Sequence, residues 1–164
     1  MRSKYLLRIF LILSVILINI GCDQVSKELV RQKVFPYEAI HFLNNHVTVT
    51  RVENSGAFLS AGDSLPQSAK RIFLSLIPLV VVLLGLVYIF TKPAISEKTL
   101  IGFCFVIGGG AGNLFDRIMY GSVTDFLHIK FGFLQTGIFN LADVSIMTGM
   151  TIILLQLLFK RNHS

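Results

Sequence analysis

The sequence predicts an all-α membrane protein of four transmembrane helices carrying a small extracytoplasmic β element, on three observations. First, 53% of the 164 residues are hydrophobic and only 15% are charged, against roughly 45–50% and about 25% in soluble domains. Second, the apolar excess is gathered into four long runs, giving a mean hydropathy of +0.70. Third, one segment between the first two runs alternates with a period of two residues and is β-branched, the pattern of a half-buried strand. So little charge cannot solvate the surface of a globule of this size, and the chain 1–164 reads as a single membrane domain.

A helix crosses the bilayer in about 20 mostly apolar residues. The first run, 5–22, is broken only by Arg8, whose long side chain can reach back to the headgroups. The second, 72–91, holds no charge, and its Pro78 is of a kind that membrane helices tolerate. The third, 99–115, is shorter and rich in glycine, and the fourth, 138–159, carries one ionisable residue, Asp143.

Lys and Arg beside these runs set the orientation. With the N-terminus inside, the inner segments 1–8, 92–98 and 160–164 hold seven basic residues in 20, and the outer segments 23–71 and 116–137 hold eight in 71. Both termini are therefore expected in the cytoplasm. A net charge of +6 could also suit nucleic acid, but with four spans the expected partner is lipid. Cys22 and Cys104 both fall in apolar runs, so no disulfide or cysteine metal site is expected. Basic Arg2, Lys4 and Arg8, an apolar stretch and Ile20-Gly21-Cys22 also look like a cleavable signal ending in an acylated cysteine. Asn19 fits that pattern poorly, and three later spans make such an anchor redundant.

The outer segment from Asp23 to Arg71 is too long for a turn. Lys27 to Lys33 can continue the first helix; His46 to Val52 reads as the strand; Asn54-Ser55-Gly56 reads as a turn.

Ionisable groups at membrane depth are costly and mark function. Asp143 lies a few residues into the last span, where the positive end of the helix dipole would also favour a carboxylate. Gly108 and Gly112 form a G-x-x-x-G pair that lets another helix approach. Asn113, Asp116 and Arg117 follow at spacings that share a helical face. Asp125, in Val123-Thr124-Asp125-Phe126, belongs to the outer connection, so Asp116, Asp125 and Asp143 could converge at one membrane surface. Asp23 and Lys27 are spaced i, i+4, which on a solvated surface is a weak ion pair. Two acids in a low-dielectric cleft hold one proton between them, so that one can activate water while the other protonates a carbonyl. That is metal-free peptide hydrolysis. His41, His46, His128 and His163 show no zinc-ligand spacing, and no cofactor is implied.

Five segments, D-Q-V-S-K at 23–27, N-S-G-A-F at 54–58, G-G-G-A-G-N-L-F-D-R at 108–117, V-T-D-F at 123–126 and F-N-L-A-D at 139–143, together resemble the lipoprotein signal peptidase (signal peptidase II) family. The resemblance implies an aspartic endopeptidase of the bacterial inner membrane that cuts diacylglyceryl-modified prolipoproteins just before the lipidated cysteine, working as a monomer. By motif it implies Asp125 and Asp143 as the catalytic pair, with Asp116 an alternative member. Asp23, Lys27, Asn54, Gly56, Gly108, Asn113, Asp116, Arg117, Asn140 and Ala142 match family positions that would support the acids or meet substrate. Thr124 departs from an apolar position, and Ala57-Phe58 from a pair that often starts with another small residue. An ion relay through Asp116 and Asp143, or an assembly factor packed through its glycines, are the readings from other classes. The first lacks ionisable groups in the middle of spans two and four, and the second leaves the aspartates unexplained.

Overall fold

The computed structural model describes residues 2–56 and 66–161; Ala57-Phe58 and His163 lie outside them. In chain order the elements are α1 (Arg2–Lys33), β1 (Ala39–Phe42), β2 (Val47–Asn54), α2 (Gln67–Thr91), α3 (Glu97–Tyr120), β3 (Val123–Phe131), β4 (Leu134–Gln135) and α4 (Leu141–Arg161). All four helices are long and apolar enough to cross a membrane.

The helices exceed or shift the predicted spans for local reasons. α1 continues eleven residues beyond Cys22, and α3 runs past Phe115 to Tyr120. Polar residues sustain these extensions because they are buried against other elements. α3 starts on an N-cap, Ser96, whose hydroxyl accepts from Thr99 N at 3.2 Å, and stops at Gly121 in a left-handed conformation at φ 78°. α4 begins at Leu141 rather than 138, because Phe139 is held to the sheet instead. In α2 a π-helical turn, Arg71–Leu76, precedes Pro78. The ring of Pro78 would meet the carbonyl four residues back in a regular helix, and the wider turn makes room for it.

α3 is the central helix, and glycine makes it so. Around its run, a Cβ on Gly108 would lie 2.8 Å from Asn19 of α1, and one on Gly109 would lie 2.3 Å from the carbonyl oxygen of Ala142 of α4. A Cβ on Gly112 would lie 2.6 Å from the Asp23 carboxylate. Further along the same helix, Gly102 meets Gly149 of α4. Small residues thus let two helices, α1 and α4, approach one backbone. Between α1, α2 and α3 a dry cluster forms from Ile12, Ile16, Ile89, Leu100, Cys104 and Ile107.

Arg8 is tied to the neighbouring helix. Its guanidinium donates to the carbonyls of Ile89, Lys92 and Pro93, each at 3.0 Å. These belong to the end of α2 and the residues after it, where carbonyls lack helical partners and cations are favoured.

The four strands form one antiparallel sheet in the order β1-β2-β3-β4. β2 matches the predicted strand shifted by one or two residues. β3 was read only as a connection carrying Asp125, and the structure shows it to be the longest strand, nine residues. The sheet sits on the end of α1 through Val30, Val34 and Phe126, with Ile40, Val49, Leu127 and Leu141 around them. A register shift in β2 between Val49 and Val52 falls next to Asp125.

Candidate active site

Four residues of α1, Asn19, Asp23, Lys27 and Arg31, recur every fourth position and so form one polar stripe. Asp23 and Lys27 are fully buried, their charges 2.7 Å apart, so the weak surface pair that the spacing suggested is in fact a buried one. Lys27 Nζ also reaches Asp116 at 3.2 Å and the Asn113 side-chain oxygen at 2.9 Å. Arg31 pairs with Asp116 at 3.0 Å, donates to the Thr124 hydroxyl at 2.9 Å, and lies 4.1 Å over the ring of Tyr120. A buried cation is tolerable only with opposite charge and filled hydrogen bonds, and here two cations and two acids compensate one another.

Asp116 is therefore an anchor. It is 0% exposed, paired to Lys27 and Arg31, and accepts from Gln24 Nε2 at 3.1 Å and from the backbone of Thr124 at 3.2 Å. The last bond fixes β3 one residue before Asp125. Asn113 and Arg117 share the helical face of Asp116, yet neither hydrogen-bonds to it. Asn113 turns to Asp143, and Arg117 donates to the Gly56 carbonyl at 3.1 Å. Thr124, the departure from an apolar position, faces away from Asp125. Successive strand residues face opposite ways, and its hydroxyl joins Arg31 to Glu53.

Asp125 and Asp143 meet on Asn140. Phe139 is stitched to β3 by three backbone bonds, with Phe126 and Leu127 donating to its carbonyl and Phe139 donating back to Leu127, so the next residue lands beside Asp125. The Asn140 amide donates to Asp125 Oδ1 at 2.6 Å, while its side-chain oxygen accepts from the backbone N–H of Asp143 at 3.0 Å. The Asn140 backbone N–H in turn donates to Asp143 Oδ2 at 3.2 Å. This reciprocal pair is a capping box at the start of α4. The Asp143 carboxyl thus accepts from two N–H donors, the second being Asn113 Nδ2, which reaches Oδ1 at 2.9 Å, and it sits at the positive end of its own helix.

The setting of Asp125 is different. It is 5% exposed, lies on a strand, and accepts from Asn54 Nδ2 at 2.9 Å as well as from Asn140. Burial pushes its carboxyl up to about 6, against the two amides, and the nearby charge of Asp143 adds to the rise. Arg117 lies within electrostatic reach of Asp116, Asp125 and Asp143.

Asp143 opens into a groove of about 720 Å³ whose walls are Gln135, Thr136, Phe139 and one flank of α4 down to Ile152. At 1.5 Å per residue that flank extends roughly 16 Å from the start of the helix.

Of the residues singled out by motif, Asn54, Asn113 and Asn140 touch the two acids directly. Gly56 and Arg117 stand beside them, and Lys27 acts through Asn113. Asp23, Gly108, Asp116 and Ala142 hold the frame: Asp23 accepts from the backbone N–H of Ala142 at 2.9 Å, filling an orphan donor of α4, and Gly108 packs on Asn19. The sequence reading missed Gln24, Arg31 and the pair Asn19–Ser145, which hydrogen-bond across α1 and α4. The four-residue stripe on α1 was the signal that could have found Asn19 and Arg31. Among the described residues no three His, Cys, Asp or Glu side chains converge on a position for a metal ion.

A family model described as Signal peptidase (SPase) II matches residues 15–159. The chain is 32% identical over 144 residues to the lipoprotein signal peptidase of Streptococcus pneumoniae (strain ATCC BAA-255 / R6), covering 88% of this chain and 90% of that protein. It is 31% identical over 164 residues to the lipoprotein signal peptidase of Desulforapulum autotrophicum, covering 98% of each. Among solved structures, a bacterial membrane enzyme determined by the in meso method at 2.3 Å resolution superposes with a TM-score of 0.84 at 25% identity, covering 95% of this chain and 92% of the other.

Proposed function

The chain belongs to the signal peptidase II family, and on that premise we propose that Asp125 and Asp143 are the pair with which it hydrolyses prolipoproteins. The protein is a membrane protease that removes signal peptides from prolipoproteins. The observation that carries the residue assignment is Asn140, one side chain bonded to both acids.

The two environments assign the roles. Asp143, in its capping box and opening to the groove, enters the reaction ionised and takes a proton from a water molecule. Asp125, buried and with its carboxyl pushed up to about 6, carries the proton that passes to the carbonyl oxygen of the scissile amide. Water oxygen bonds to the carbonyl carbon and a tetrahedral diol forms. The proton on Asp143 then goes to the amide nitrogen as the carbon–nitrogen bond breaks, and Asp125 recovers its own from the diol. Asn54, Asn113 and Asn140 hold both carboxyls in place without adding charge.

The substrate would be a prolipoprotein with a diacylglyceryl cysteine, cut just before that residue. The open flank of α4 beside Asp143 supports entry from lipid, since leaving the bilayer costs about 0.8 kcal/mol per buried CH₂. Both termini would be cytoplasmic, in the inner membrane of a bacterium, from the Lys and Arg count, and the chain would act as a monomer.

Asp125→Asn and Asp143→Asn should each lower cleavage of a lipid-modified precursor on the order of 10³-fold or more, with unchanged helix content and with chelator present throughout. Asp116→Asn should destabilise the protein, while the folded fraction still cuts. Full activity in either of the first two variants would reject the pair.

A further inference from the structure

The end of the sheet farthest from the acids carries apolar side chains that no part of the described chain covers. Two turns lie side by side there, β1 to β2 and β3 to β4, joined by Lys130 N donating to the His46 carbonyl at 2.8 Å and by the ring of His46 stacked on Phe131 at 4.6 Å. From them project Phe42, Leu43, Phe131, Phe133 and Leu134, with Phe133 93% exposed and Leu43 74% exposed.

Two further observations point to what meets them. Leu43 has a φ of 49°, a left-handed conformation unfavourable for a leucine, yet its side chain stays largely exposed among the described residues. Neither turn holds an acid, while Lys130 and His46 flank them, the mixture of apolar, aromatic and basic groups found at membrane interfaces. Their position agrees. Gln135 and Thr136, directly after Leu134, line the same groove as Met147, Thr151 and Ile152, so this end of the sheet hangs beside the flank of α4 and is continuous with its exposed apolar surface.

We propose that the tip formed by Leu43, Phe131, Phe133 and Leu134 inserts into the lipid leaflet beside the start of α4, with the acyl chains as its partner, and holds one wall of the groove to Asp143 at bilayer depth. The inference stands on the shape and composition of the tip, whichever acids cut the substrate.

The chain contains no tryptophan, so Phe133→Trp creates a single emitter in the full-length protein, and Leu134→Trp a second site should the first fold poorly. The variant is reconstituted in phosphatidylcholine–phosphatidylglycerol vesicles with and without lipid brominated on the acyl chain. A Leu84→Trp protein, its emitter on the exposed apolar face of α2, serves as the lipid-facing reference, and free N-acetyl-tryptophanamide as the water reference. Blue-shifted emission, bromolipid quenching at least half that of Leu84→Trp and at least fivefold weaker acrylamide quenching than the free indole are expected. Acrylamide quenching like the free indole would place the tip in water and overturn the proposal. Protection from both quenchers would mean a protein surface covers it, and would overturn it equally.

Discussion

The two ends of α1 deal with charge inside a membrane helix in opposite ways. Near the start, a single cation, Arg8, is satisfied by three neutral carbonyls at and just past the end of α2, beside a cluster of isoleucines, a leucine and Cys104 that contains no charged group. Near the finish, Lys27 and Arg31 are satisfied by Asp116 and the Asn113 side chain of α3, and Asp23 by Lys27 and the Ala142 N–H of α4. The first solution joins two helices and stops. The second extends from Lys27 through Asn113 to Asp143, and from Asp116 through Thr124 to the strand of Asp125, so the same bonds that bury charge also aim the acids. Polar burial is thus functional where it is networked and structural where it ends on a backbone.

That contrast can be tested by removing its parts, beginning with the largest effect. Lys27→Met leaves Asp23 without a counterion in a closed site and Asp116 with Arg31 alone. Unfolding in detergent should show a loss of about 3–5 kcal/mol, together with loss of cleavage. Adding Asp23→Asn should restore much of the stability, and failure to do so would show that the Asp23 charge is not what the lysine balances.

Gly109→Ala comes next. Its Cβ would lie 2.3 Å from a carbonyl of α4, so the helix carrying Asp143 must move, with a cost of roughly 1–3 kcal/mol and a larger fall in kcat than in stability.

The pH response should separate the acids themselves. Asp125 titrates near 6 in the folded protein against 3.8 ordinarily. Its protonation therefore stabilises the fold fully below about 3.8, and that contribution is lost as pH rises through about 6. kcat/KM should accordingly fall about tenfold per pH unit above 6, and the stability slope between 4 and 6 should flatten in Asp125→Asn. Smallest of all, Arg8→Gln should lower stability by about 1 kcal/mol and leave cleavage per folded molecule unchanged. A large loss of activity there would erase the distinction between the two ends.

The helices were legible because the bilayer demands long apolar runs, whose signal survives a stray Arg8 or Pro78. β2 was legible from Val47 onward by strict alternation. β3 contains the same alternation in Leu127-His128-Ile129-Lys130, but the acid-bearing stretch before it drew the reading toward a loop. Among site residues, Asp143 announced itself by sitting in an apolar run. Asp125 was legible only through its motif, because nothing local shows that Phe139 and Asn140 will fold back onto it. The burial of Lys27 and Arg31 was hidden for a similar reason: their partner Asp116 lies far along the chain, and intervals of four residues show which groups share a face without showing what will cover it.

The stripe on α1 also bears on how the protein is made. When the ribosome delivers this helix, Asp116 and Asn113 have not yet been synthesised, and the groups later enclosed by α3 must wait at the edge of the lipid. Asp23 and Lys27, one turn apart, can neutralise each other in the meantime; Arg31 has Glu28 within reach, 3.9 Å away in the finished protein. The first helix therefore carries counterions of its own for its insertion, and the arrival of α3 adds Asp116 to them.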